Sequence, residues 1–149
     1  MRLRVGFTTV LACGLGVVAA GGVMPAMAQD NMAYIGTSLF GEQVPGKGAG
    51  EDAAGDFSAE LDLGAGRMCY MLEVDGLDEV TAAHIHAGAV GKTGEALIPL
   101  QLLGDDGEDI CVDVDAELLK KIAKNKAKYY VNVHTAEFPE GAIRGQLGE

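Results

Sequence analysis

The sequence predicts an all-β protein, a sandwich or barrel carrying one short helix. Three observations lead there. Glycine punctuates the chain, 22 in 149 residues, and between the glycines lie short runs suited to strands. Several of those runs alternate apolar and polar residues with the period of two that a half-buried strand requires. Only one stretch, after Asp115, has helical periodicity together with an N-cap residue.

Met32–Phe40 is the first expected strand. A polar, glycine-rich loop with Pro45 at its centre follows over Gly41–Gly55. In Asp56–Leu63, Phe57, Ala59, Leu61 and Leu63 fall on one side and Ser58, Glu60 and Asp62 on the other. After the turn Gly64-Ala65-Gly66, Met68, Tyr70, Leu72 and Val74 form the apolar side of a second run, opposite Cys69, Met71 and Glu73. The two runs form a hairpin. Val80–Ala87 is the next strand, and Gly88–Gly94 a turn. Glu95–Leu103 is strand-like, but Pro99 lacks a ladder donor and places it at an edge or a bulge. An acidic turn over Gly104–Asp109, without the ligand spacing of a calcium loop, leads to a short strand at Ile110–Val114. Asp115 caps a helix over Ala116–Asn125, with Leu118, Leu119 and Ile122 as its apolar stripe. Tyr129–Thr135 and Ala142–Leu147 are the last strands, joined through the turn Phe138-Pro139-Glu140-Gly141. Tyr129 and Tyr130 read as core and surface aromatics of their strand.

The N-terminus reads as an export signal. Arg2 and Arg4 precede an apolar stretch from Val5 to Val23, and Ala26-Met27-Ala28 fits cleavage between Ala28 and Gln29. Residues 1–28 are thus expected to be a signal peptide and 29–149 one domain, secreted or periplasmic. The minor alternative is a lipoprotein anchored at Cys13, on the weak lipobox Val10-Leu11-Ala12-Cys13. The mature chain would have no integral membrane segment. Losing Arg2 and Arg4 but no acid takes the net charge from −11 to −13. So acidic a chain repels nucleic acid and anionic membrane, which excludes both as partners. Two cysteines, Cys69 and Cys111, remain beyond the signal, and in an exported domain an even pair reads as a disulfide.

The chain's three histidines carry its most specific pattern. His84 and His86 form an H-x-H on a strand, so both rings leave one face. His134, on a later strand, would complete a three-imidazole metal site. Imidazole suits copper and zinc, and copper is the favoured ion. The competing reading makes the histidines a polar seam within an extracellular structural or protein-interaction module. Arg144, expected beside His134 across the last hairpin, either binds an anion or is buried against backbone carbonyls and a carboxylate such as Glu137 or Asp113. Glycines 88, 91 and 94 have no helix behind them, so a plain turn is expected there rather than a phosphate cradle. No phosphate loop, H-E-x-x-H, C-x-x-C or G-x-S-x-G occurs, and no nucleophile–base pair is visible. A hydrolase is not expected, and a metal-dependent redox enzyme is the lesser alternative to a binding protein.

The runs GEQVPGKGAG, CYMLEVDGL, AAHIHAGAVGKTGEALIPL and YYVNVHTAEFPEGAIRGQL together resemble the CHRD (chordin-type) domain, in its single-domain exported bacterial form. The resemblance covers roughly residues 33–147. It implies an immunoglobulin-like antiparallel β-sandwich, similar in outline to copper/zinc superoxide dismutase. It implies no established activity. Those dismutases need further histidines and a carboxylate for their paired metals, and three histidines cannot supply that set.

Overall fold

The computed structural model describes residues 31–104 and 106–148. The expected signal peptide and the alternative anchor at Cys13 lie outside the described residues, as does Asp105 of the acidic turn. Eight strands form one antiparallel sheet, curled as a half-barrel, with one α-helix. They are β1 (Met32–Phe40), β2 (Ala54–Asp62), β3 (Arg67–Asp75), β4 (Val80–Ala87), β5 (Ala96–Leu100), β6 (Ile110–Asp113), β7 (Tyr129–Thr135) and β8 (Ile143–Gln146). The helix α1 spans Ala116–Lys124. Spatial order is β5-β4-β7-β8-β1-β2-β3-β6.

The alternation read from the sequence sets which way each strand faces. In β2, Phe57, Ala59 and Leu61 are buried; in β3, Met68, Tyr70 and Leu72 are. They join Ala83 and Ile85 of β4, Val131 and Val133 of β7, and Ile143 of β8 in a single core. The β2–β3 hairpin forms with Asp62 opposite Arg67. Its first strand starts earlier than expected, at Ala54, because Ala54 and Gly55 pair with both β1 and β3. Conversely, β5 and β8 are shorter than the apolar runs that announced them. Pro99 sits on β5 at the end of the sheet, where its missing N–H costs no ladder bond, and the β4–β5 register shifts between Ile85 and His86.

Asp115 caps α1, its carboxylate accepting from the Leu118 N–H at 2.8 Å. Leu119 and Ile122 plug the core. Cys69 and Cys111 are bonded, and they face each other directly across the β3–β6 ladder. The sheet is continuous only through a narrow joint. β1 and β8 share the pair Phe40–Arg144, and beyond it the bridge Gly36–Gly148. Gly145 permits that approach, since a Cβ there would come within 2.6 Å of the Ser38 carbonyl oxygen.

Candidate metal centre

β4 and β7 are neighbours, with His84 opposite Asn132 and Ala82 opposite His134. This register solves the sequence-distance problem: it brings His134 diagonally beside the H-x-H, some fifty residues earlier in the chain. Because Ala83, Ile85, Val131 and Val133 enter the core, the alternate positions, including all three histidines, leave the opposite face. The ring centroids lie 5.5 Å (His84–His86), 5.6 Å (His84–His134) and 5.9 Å (His86–His134) apart. One ring nitrogen from each lies within 4.8 Å of the others. A tetrahedral ion with bonds of about 2.0–2.1 Å wants nitrogens roughly 3.3–3.4 Å apart, so small ring rotations would close the set.

Two of the rings have their tautomers fixed by the main chain. His86 Nδ1 lies 3.0 Å from the Gly94 carbonyl oxygen, and His134 Nδ1 lies 2.9 Å from that of Pro139. A carbonyl only accepts, so each Nδ1 carries a proton, which in the neutral ring leaves the lone pair on Nε2. Metal-ligating histidines are commonly held this way. His86 Nε2 is buried with no partner, and so is His84 Nδ1. Asn132 Nδ2 approaches His134 Nε2 at 3.5 Å, too far to be more than a weak contact. Two orphaned imidazole nitrogens in one cluster are costly unless something occupies the space between them. The residues therefore fit a three-imidazole ion.

Charge supports the same reading. Burial lowers the His84 pKa below its ordinary 6.5, and the neighbouring His134 lowers it further. His86 is also lowered, first by burial; its bond to Gly94 opposes the shift, while His84, His134 and Arg144 add to it. Both shifts favour the neutral ring, the form that ligates.

Three residues of this face were missed or misread from the sequence. Tyr130 is not a plain strand aromatic. Its ring stacks on His86 at 4.9 Å and 10°, and its hydroxyl accepts from the Gly94 N–H at 3.2 Å. Arg144 is buried against backbone carbonyls, as the second of its two alternatives had it, but not against Glu137 or Asp113. Its guanidinium lies 3.5 Å over the Tyr130 ring and donates to the carbonyls of Lys92 at 2.8 Å and Ala89 at 3.0 Å. Those oxygens belong to the Gly88–Gly94 turn, which folds back over β8 within reach of the fork. Asn132, noticed only as part of a motif, holds the other rim, donating to the Glu140 carbonyl at 3.1 Å. Its Oδ1 is buried without a partner. The signal for all three was strand parity: 130, 132 and 134 share a face, and their ladder partners Arg144 and Gln146 share it too.

Other side chains with sulfur or carboxylate donors lie outside the cluster. Met68 is fully buried in the core, Met71 is exposed, and the sulfurs of Cys69 and Cys111 are consumed in their bond. Asp106, Glu108 and Asp109 are solvated. The turn at Gly88, Gly91 and Gly94 precedes a strand, not a helix, and gives up its carbonyls to Arg144 and Gln146. Among the described residues no helix is long and apolar enough to cross a membrane.

The CHRD domain family model matches residues 35–147, so the chain belongs to the CHRD family. No curated protein and no solved structure matches it.

Proposed function

We propose that this CHRD domain is an exported binding protein that holds one transition-metal ion through His84, His86 and His134, with copper favoured and zinc the alternative. One observation carries the reading: three imidazoles with nitrogens inside 4.8 Å, in a half-buried cluster where two buried ring nitrogens have no partner. Three neutral nitrogens leave a coordination position open for water or a small ligand. The three histidines are all the sequence has, so a bridged two-metal centre is not part of this proposal. Export rests on the N-terminal pattern and agrees with the cysteine bond. In the same reading the curled sheet is a sandwich in outline. That outline is supported by the core, which draws residues from both β5-β4-β7-β8 and β1-β2-β3-β6.

The test is metal analysis of protein recovered from the exported compartment, followed by titration of the metal-free form with Cu and Zn. One equivalent, lost in the triple His→Ala variant, is expected.

A second reading, an extracellular protein-interaction module, is favoured by the Arg144 latch. Arg144 and Gln146 pin the Gly88–Gly94 turn through main-chain oxygens with no ion involved, so the histidine face is ordered in its own right. Wild-type protein that binds no ion would put this reading first.

A further inference from the structure

A buried, unneutralised cation stands behind the histidine cluster. Arg144 is 2% exposed. Its donors go to the Lys92 and Ala89 carbonyls and to Gln146 Oε1 at 3.3 Å. Among the described residues the one side-chain ion pair is Lys120–Glu117, so no carboxylate balances Arg144. Glu42 lines the same 360 Å³ surface cavity as Arg144, but it is solvent-exposed and forms no ion pair with it. The strand order β4-β7-β8 places Tyr130 between His86 and Arg144. The guanidinium, the phenol and the imidazole thus form a ladder with steps of 3.5 and 4.9 Å.

The three imidazoles contribute no charge, so a bound ion meets Arg144 with its whole charge. The two steps put the guanidinium within about 8.4 Å of the His86 ring, and an ion bound to that ring sits about 3 Å beyond its centre. At an effective dielectric constant of about 20, one unit of ion charge at that separation changes affinity roughly tenfold. The acidic surface does not undo this difference. Its carboxylates are hydrated and screened over about 8–10 Å, whereas the guanidinium is buried.

We propose that Arg144 is a charge-selecting residue of the site: it penalises divalent ions and directs the three imidazoles toward the monovalent cuprous ion. The inference rests on the metal-binding reading above. Among the ions that imidazole favours, copper has an accessible monovalent state and zinc does not. Arg144 touches no ligand to the ion; it acts through its field, and through Tyr130 it also holds the His86 ring.

The experiment compares Kd for Cu(I), measured anaerobically against a chromophoric competitor, with Kd for Zn(II), measured against a carboxylate chelator. Wild type, Arg144→Gln, Arg144→Met and Arg144→Lys are compared, each checked for native circular dichroism. Removing the charge should tighten Zn(II) about tenfold relative to Cu(I). Arg144→Lys, which keeps the charge but not the fork, should retain the wild-type ratio. A ratio unchanged in both neutral variants overturns the proposal, and so does Arg144→Lys behaving like Arg144→Gln, since that would make the role purely positional. In either case histidine-dependent binding persists and the metal-binding reading stands. Wild type that binds neither ion overturns both. Should neither neutral variant fold, the wild type decides: Cu(I) must bind more tightly than Zn(II), and the reverse order overturns the proposal.

Discussion

His86 is the most constrained of the three histidines, 9% exposed and held at Nδ1 by Gly94 and on one face by Tyr130. His86→Ala should abolish metal binding while leaving the fold intact, because the core is built from aliphatic and aromatic side chains on the other face. Titration calorimetry beside circular dichroism checks both halves of that expectation. The same residues give a pH dependence with a definite sign. His84 and His86 have folded-state pKa values below the 6.5 of the unfolded chain. As pH falls through about 6.5, the unfolded state takes up protons first. The metal-free fold should therefore hold its full stability above that pH, lose stability below it, and level off once the folded state also protonates. Thermal unfolding between about pH 8 and 5 should show that fall, diminished in the His84→Gln/His86→Gln double variant. An equally steep fall in the variant would assign it elsewhere. At the rim, Gly141 has φ of +139°, and a Cβ there would lie 2.5 Å from Asn132 Oδ1. Gly141→Ala should cost about 1–3 kcal/mol and weaken metal binding as Asn132 is displaced. Wild-type stability and affinity in that variant would contradict the packing described.

At the scale of elements, β6 is a four-residue edge strand tied to β3 by the Cys69–Cys111 bond. The bonded residues are 42 apart in sequence, and the chain-entropy account gives a bond closing such a loop about 4 kcal/mol. Thiol titration of unfolded, non-reduced protein should find no free thiol in the mature chain. Cys69→Ser/Cys111→Ser should lower stability by up to that amount without touching metal affinity, since neither β3 nor β6 pairs with β4 or β7. The pairing was legible in the sequence from the even cysteine count, and the facing of β2 and β3 from their alternation. The helix start was legible too, because Asp115 has a specific capping geometry to satisfy. The ends of β5 and β8 were not. Leu102 packs against the core and Leu147 lies within it, each beyond the end of its strand, so the apolar run extends past the strand in both places.

For the whole molecule, the sequence held the three histidines but not the surroundings that define their chemistry. Period-two alternation says which residues share a face, yet it cannot say which strands adjoin. The stack of His86, Tyr130 and Arg144 depends on the order β4-β7-β8, which only the assembled sheet supplies. A carboxylate partner was the natural sequence expectation for a buried arginine; the fold provides main-chain oxygens and an aromatic face instead. Export belongs to this scale as well. Intact-mass measurement should find Gln29 as the N-terminus, whereas the mass of a lipidated Cys13 would establish the anchored form. Metal stoichiometry tests the central claim most directly. Metal-free wild type, titrated with Cu(I) and with Zn(II), should bind one ion per chain, and the His84→Ala/His86→Ala/His134→Ala variant, folded by circular dichroism, should bind none. Undiminished binding in that variant, or none in the wild type, would contradict the account.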